Sequence, residues 1–256
     1  MEAESVEAAL EQELEGADWH RRVVGRSLGG ARKRSIDRGA RLIRAAEAVL
    51  ERSGGESLTV QEVADEAGQS LRTLYQYFES KDDLLLAVFE EAMRTYAGMV
   101  RAAIADFSDP IERLAAGIFA SVRVPSLHHR AGFDRGLSRL RLQLGQVDPA
   151  SLACAQAPVT DLLHELVKAA LLEASSPEVL GADGATYMLS SLRTAFVMSA
   201  TLGNDLTLKP PDPIDLVRFV LAGIGLSRPR SWHEDVDARL RLTEGDGLAL
   251  LRRLAT

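Results

Sequence analysis

Apolar residues recur along most of this chain at spacings of three and four, the period of a helix that buries one face. The first such stretch begins at Ser35 and stops at the pair Gly54-Gly55. No stretch alternates with a period of two between turn residues, so the pattern predicts helices and no sheet. The predicted helices cover approximately residues 35–53, 59–67, 70–78, 80–107, 110–124, 130–144, 149–174, 183–203 and 212–226.

The second and third predicted helices are short and are separated by a turn at Gly68. Thr59 is suited to cap the second helix, with Glu62 closing a capping box. Two short helices joined by a three-residue turn have the proportions of a helix-turn-helix, although two small helices inside a bundle would show the same spacing. With Val63, Ala67, Leu74 and Phe78 buried, the outward-facing side chains would be Gln69, Leu71, Arg72, Thr73, Gln76 and Tyr77. Arginine, glutamine, threonine and tyrosine suit contacts to base edges and phosphates.

The run from Thr59 to Leu85, TV-x-EVA-x-EAG-x-S-x-RTLY-x-YF-x-SKD-x-LL, resembles the DNA-binding domain of the tetracycline-repressor (TetR) family. The resemblance covers about residues 36–88 and implies that the third helix enters the major groove. It places at or near DNA Ser70, Arg72, Thr73, Tyr75, Gln76 and Tyr77, with Thr59 and Lys81 against phosphates. Many members have a basic residue and then glycine at positions 71–72. Here Leu71 either contacts a thymine methyl group or shields the turn, and Tyr75 either meets DNA or packs inside the domain.

The net charge of −7 is unusual for a DNA-binding protein, but the charges are unevenly distributed. Residues 1–18 carry seven acidic side chains and no lysine or arginine, whereas residues 19–44 carry nine basic side chains against Asp37 alone. Residues 20–34 also contain three glycines, which predicts a flexible basic arm. Because phosphate neutralisation dominates DNA affinity, we expect the arm to follow the backbone or enter the minor groove. The alternative is a disordered solubilising tail. The residues concerned are Arg32, Lys33, Arg34 and Arg38.

The resemblance further implies that the helices 183–203 and 212–226 pair with their copies in a second subunit. The second of these is apolar almost all round, which exceeds the need of one subunit's core. The alternative is that both helices are central in a monomer. The remaining helices would enclose an apolar effector cavity with a few polar groups. Candidate wall residues, each also typical of an ordinary core, are Met93, Tyr96, Phe119, Phe133, Cys154, His164 and Tyr187. Arg139, Arg141 and Arg193 either pair with an anionic ligand or lie on solvated faces.

Other chemical signals are weak. Gly25, Ser27 and Gly29 match the G-x-S-x-G nucleophile elbow, which needs a strand before it, and no sheet is predicted. No histidine pair has the i, i+4 spacing of a zinc site, and Cys154 is the single cysteine. No apolar run approaches the ~20 residues that span a bilayer, and the N-terminus is not a secretion signal. We therefore expect a cytoplasmic protein that is not an enzyme, uses no metal or cofactor and does not contact a membrane.

These observations predict an all-α protein with four regions. They are an acidic then basic flexible arm (1–34), a helix-turn-helix DNA-binding domain (35–81), a helical effector-binding and dimerisation domain (82–226) and a C-terminal extension (227–256). The resemblance implies a homodimeric regulator, in the family's common mode a repressor that a small, largely apolar effector releases from double-stranded operator DNA. The alternative is a helical DNA-binding protein that senses nothing and acts by occupancy or through a protein partner. A hydrolase is a distant third.

Overall fold

The computed structural model describes residues 32–126, 131–174, 180–203, 211–226 and 228–240, which form ten α-helices and no strand. The predicted all-α fold is confirmed. The helices are α1 (Arg32–Ser53), α2 (Val60–Glu66), α3 (Leu71–Tyr77), α4 (Lys81–Ala103), α5 (Pro110–Arg123), α6 (Ala131–Val147), α7 (Pro149–Ala174), α8 (Ala182–Leu202), α9 (Pro213–Gly223) and α10 (Arg230–Leu240).

Helix α2 is short, and both of its ends are held by specific hydrogen bonds. The Thr59 hydroxyl accepts from the Glu62 N–H at 3.2 Å, and the Glu62 carboxylate accepts from the Thr59 N–H at 2.8 Å. This is the predicted capping box. After the helix, Gly68 adopts a φ of +61°, and the Gln69 N–H donates to the Ala64 carbonyl at 2.8 Å. That bond closes a Schellman motif, whose left-handed residue favours glycine. The turn toward α3 therefore has a defined direction.

Helix α5 is the centre of the larger body, and every residue from Leu114 to Val122 is buried. Its start is capped by Asp109, and Pro110 occupies the first turn, where its missing N–H costs nothing. At Gly117 a Cβ atom would lie 2.5 Å from Leu166 Cδ1, so the glycine allows α7 to pack closely. Helices α9 and α10 also pack against α5.

Helix α6 joins the body to α1 through two glycines one turn apart. A Cβ atom on Gly132 would lie 2.1 Å from the Glu51 carbonyl oxygen, and one on Gly136 would lie 2.5 Å from Leu50 Cγ. The Arg139 guanidinium donates at 2.7 Å to a carbonyl just after α1. The end of α1 is thus held directly against α6.

The structure differs from the predicted pattern at both ends of the described chain. Helix α1 begins at Arg32, three residues before Ser35, so Arg32, Lys33 and Arg34 belong to its first turn rather than to a flexible arm. Helix α10 is absent from the predicted elements, because its buried stripe of three residues is short and lies among charged ones. The stripe consists of His233, Val236 and Leu240.

Several predictions concern residues 1–31 and 241–256, which lie outside the described residues. They include the acidic block, most of the basic arm and the motif at Gly25, Ser27 and Gly29. None of the described helices is both long enough and apolar enough to cross a bilayer.

Candidate nucleic-acid interface and internal cavity

Helix α3 presents polar side chains at the surface. Arg72 and Gln76 are exposed, and Tyr75 is 49% exposed, so its ring does not pack inside the domain. On the opposite side Leu74 and Phe78 are buried and hold the helix against the core. The exposed face therefore offers a guanidinium, an amide and a phenol within two turns, which can donate to and accept from base edges.

The expectation that Tyr77 faces outward is wrong. Only 9% of this residue is exposed, because positions 74, 77 and 78 share one helical face and all belong to the core. Leu71 is half-buried and packs against the same core, which agrees with its shielding of the turn. The hydroxyls of Ser70 and Thr73 lie 2.9 Å apart, and Ser70 caps α3 by accepting from the Thr73 N–H at 3.1 Å. These two hydroxyls thus already serve the helix terminus.

Exposed cations also lie on α1 and at the start of α4. Lys81 is the first residue of α4, and Arg38, Arg41 and Arg44 lie on α1. Arg41 and Arg44 are not among the DNA contacts predicted from the sequence. Spacings of three place these α1 arginines within an arc of about 120°. In the described part of the chain none of these four cations, nor Arg72, forms an ion pair.

The acids of α2 are partly committed elsewhere. The hydrogen bonds from Thr59 hold the pKa of the Glu62 carboxyl below its usual value, so it stays ionised. Glu66 pairs with Arg52 at 2.8 Å. The Thr59 hydroxyl itself is exposed but donates to Glu62 at 2.8 Å. Glu62 and Glu66 thus have partners other than the exposed Arg38, Arg41 and Arg44 of α1 and Arg72 of α3.

A cavity that is open to solvent lies among α4, α6, α7 and α8. Of the predicted wall residues, Met93 and Tyr96 line it. The remaining wall is mostly apolar with several polar groups. Its members are Phe89, Pro125, Asp134, Leu137, Ser138, Arg141, Gln156, Arg193, Thr194, Val197 and Met198.

Five of the predicted wall residues lie elsewhere. Cys154 is exposed on α7 and Tyr187 is 73% exposed on α8, because the inner faces of these helices are formed by other positions. Phe133 is fully buried in the core, and Phe119 lines a separate, smaller cavity beside α9 and α10. His164 is half-buried, with Nδ1 at 3.2 Å from the Thr186 hydroxyl.

Polar contacts organise the cavity wall. The Tyr96 hydroxyl donates to the Asp134 carboxylate, which is buried, and the hydroxyls of Ser138 and Thr201 lie 2.6 Å apart. Arg193 has a buried Nε without a hydrogen-bond partner, although the residue as a whole keeps partial exposure. Burial and then the nearby charge of Arg141 lower the pKa of Arg193 to about 10.

Two helices connect the cavity with the unit that carries α3. Helix α4 runs from Lys81, beside α3, to Met93 and Tyr96 in the cavity wall. Helix α6 lines the cavity with Asp134, Leu137, Ser138 and Arg141, and packs against α1 through its two glycines. A hydrogen bond of 3.2 Å from Gln143 to Asp82 links α6 with the start of α4. Helices α4 and α6 therefore both lie between the cavity and the unit that carries α3.

Helices α8 and α9 expose large apolar side chains. Tyr187 and Met188 on α8 are 73% and 52% exposed, and Phe219 on α9 is 67% exposed. Beside Phe219, Ala222 and Gly223 are also exposed, and nothing approaches a Cβ built on Gly223. Exposed apolar side chains mark contact sites between proteins where they form a contiguous patch.

Comparisons with known proteins identify relatives of this chain. Residues 42–88 match the model of the bacterial regulatory proteins of the tetR family. The chain is 32% identical over 196 residues to the HTH-type transcriptional activator FasR of Mycolicibacterium smegmatis, covering 72% of this chain and 88% of FasR. HbdR, an HTH-type transcriptional regulator of Aromatoleum sp., is 31% identical over 84 residues, which are 33% of this chain and 37% of HbdR.

Solved structures share the fold. RolR in complex with resorcinol superposes with a TM-score of 0.60 at 20% identity, over 83% of this chain and 97% of RolR. FadR from Bacillus subtilis in complex with stearoyl-CoA gives a TM-score of 0.55 at 21% identity, over 74% of this chain and 99% of FadR. At these identities the likeness is one of fold.

Proposed function

This chain belongs to the tetR family of bacterial regulatory proteins and is a transcriptional regulator, and we propose that it is a homodimeric repressor released from operator DNA by a small, largely apolar effector. The observation that carries the proposal is the position of the cavity between α4 and α6. Both helices also pack against α1, which together with α2 and α3 forms the DNA-reading unit. RolR and FadR, which share the fold, have small-molecule ligands bound, and this supports a sensing role for the cavity.

In the proposed complex α3 reads bases, and exposed cations on α1 and at the start of α4 bind phosphates. Arg72, Tyr75 and Gln76 have the exposure that base contacts require. Lys81 lies at the start of α4, where free N–H groups also favour a phosphate. We assign the α1 arginines 38, 41 and 44 to the DNA backbone as well, since they are exposed on one side of that helix.

We propose that α8 and α9 form the dimer interface. Their exposed apolar residues Tyr187, Met188 and Phe219 would be buried there, and Gly223 would allow close approach. A dimer presents two copies of α3 to half-sites at a fixed spacing along the duplex. A ligand that tilts α4 and α6 would change the separation of the two copies and misalign both contacts together.

The DNA contacts are tested with an operator selected by the wild-type protein from random DNA, using fluorescence anisotropy. Arg72→Ala is expected to weaken binding to that operator by roughly 1–3 kcal/mol and to relax sequence preference. Lys81→Ala is expected to weaken binding to all DNA sequences alike and to reduce the slope of log K against log salt by about one. Arg113→Ala, which removes an exposed arginine on α5, is the control. Equal losses on random DNA for Arg72→Ala would refute base readout by this residue.

The switch is tested by filling the cavity without a ligand. Thr194 lines the cavity, so Thr194→Trp is expected to lower operator affinity about 5- to 150-fold, corresponding to a coupling of roughly 1–3 kcal/mol. Ala153→Trp places the same side chain on an exposed position of α7 and is expected to leave the affinity unchanged. Full operator affinity of a folded, dimeric Thr194→Trp protein would favour the alternative of a DNA-binding protein that senses nothing.

The sign of regulation has a second candidate, because FasR, which covers most of this chain, is a transcriptional activator. A reporter driven by the selected operator decides between the two. Repression predicts that deletion of the gene raises transcription, and activation predicts that deletion lowers it.

A further inference from the structure

The cavity contains two arginines, Arg141 on α6 and Arg193 on α8. The Nε of Arg193 is buried and has no hydrogen-bond partner. Asp134 also lines the cavity, but among the described residues it forms no ion pair with either arginine, and it accepts a hydrogen bond from Tyr96. The described lining of the cavity thus holds two guanidinium groups and one carboxylate.

Both arginines remain charged at neutral pH despite this environment. Burial and the charge of Arg141 lower the pKa of Arg193 only to about 10, and burial also lowers the pKa of Arg141. A buried charge is unfavourable unless an opposite charge or hydrogen bonds compensate it. Among the described lining residues Asp134 alone carries a carboxylate, so two neighbouring cations at this cavity favour the binding of an anionic ligand.

The rest of the wall determines what else the ligand must carry. Phe89, Met93, Leu137, Val197 and Met198 supply an apolar lining next to the arginines. We propose that the effector is an organic anion, an apolar molecule with one carboxylate or phosphate group, and that Arg193 and Arg141 bind this group. A guanidinium donates two parallel hydrogen bonds to either oxyanion. The regulatory effect of this anion rests on the proposed function, whereas its binding to the two arginines does not.

Isothermal titration calorimetry of the full chain with matched eight-carbon probes tests the inference. Octanoate and octyl phosphate carry the two candidate head groups, and octan-1-ol is the neutral counterpart. Since hydrogen bonds to charged groups are stronger than those between neutral groups, at least one anion is expected to bind about tenfold or more tightly than the alcohol. The stronger of the two anions identifies the head group. Equal affinities for anions and alcohol, or no binding of either anion, would overturn the inference.

Variants connect the preference with the two arginines. Arg193→Met and Arg141→Met are expected to abolish the preference for the anion, while Arg113→Met, on the surface of α5, keeps it. Arg193→Lys retains the charge without the planar fork and is expected to give an intermediate preference. If Arg193→Met fails to fold by circular dichroism, Arg141→Met and Arg193→Lys decide. An undiminished preference in the folded variants would contradict the proposal.

Operator binding in the presence of the same probes separates this inference from the proposed switch. An anion that binds through Arg193 and leaves operator affinity unchanged supports the site and contradicts the switch. Release of the operator by octan-1-ol as effectively as by the anions supports the switch and contradicts the site.

Discussion

Replacing Gly132 with alanine is expected to move the DNA-reading unit relative to the body without unfolding either. Gly132 lies in the first turn of α6, where a Cβ atom would come within 2.1 Å of the Glu51 carbonyl oxygen on α1. Carbon and oxygen atoms in close contact ordinarily stay about 3.3 Å apart or more. Helix α6 and the end of α1 would therefore have to separate locally by about 1.2 Å.

The energetic consequences of this substitution can be estimated. Alanine is intrinsically better than glycine inside a helix by roughly 0.5–1 kcal/mol, whereas overpacking of this kind costs about 1–3 kcal/mol. The free energy of unfolding should thus fall by no more than about 2.5 kcal/mol. Operator binding should suffer more, because the displacement occurs in both subunits of the proposed dimer and misaligns both half-site contacts. A coupling of roughly 1–3 kcal/mol corresponds to a 5- to 150-fold loss of affinity.

The assay is fluorescence anisotropy with the selected operator, together with urea denaturation of the same preparations. Gly145→Ala is a matched control in the same helix, since its Cβ would meet only Leu152 Cδ2 at an ordinary 3.4 Å. Wild-type operator affinity for folded Gly132→Ala would show that the packing of α6 against α1 does not position the DNA-reading unit.

Three further substitutions probe other parts of the molecule. Folding lowers the pKa of Arg193 from its ordinary value to about 10, which opposes folding by at most about 3 kcal/mol at neutral pH. Arg193→Met should therefore raise the free energy of unfolding in urea by about 1–3 kcal/mol. A decrease would contradict this. Phe219→Asp should convert the proposed dimer to a folded monomer, as measured by light scattering. Leu142→Asp, also at an exposed position, should leave the dimer intact. A dimeric Phe219→Asp protein would refute the proposed interface. Gly68→Ala should destabilise the protein by about 1–2 kcal/mol through its left-handed φ alone, because open space surrounds the position; an unchanged urea midpoint would count against this.

Local features of the DNA-reading unit could be predicted from the sequence because neighbouring residues determine them. The capping box of Thr59 and Glu62 and the turn at Gly68 depend on residues within a few positions of each other. Tyr77 shows where this reasoning stops. In a helix this short, the position of Tyr77 next to the buried Phe78 is compatible with either the exposed or the buried face. The packing of the helix against the core buries Tyr77. Tyr75, for which the sequence left both positions open, is exposed.

The cavity wall was less accessible to prediction. Periodicity identifies which side of a helix is buried but not which neighbour covers it, so Phe119 and Phe133 were indistinguishable from Met93 and Tyr96. The crossing of α4, α6 and α8 decided that Arg193 lies in the wall. Arg139, which the sequence analysis grouped with Arg193, instead binds a carbonyl after α1.

By itself the sequence determined the helical class, the capped helix-turn-helix and the surplus of apolar residues on α8 and α9, because helical period, cap chemistry and side-chain polarity are local properties. Only the tertiary structure decided that α6 holds α1 through Gly132 and Gly136, and that Arg141 and Arg193 meet at one cavity. These contacts join residues more than 50 positions apart in the chain, and they depend on the angles at which whole helices pack.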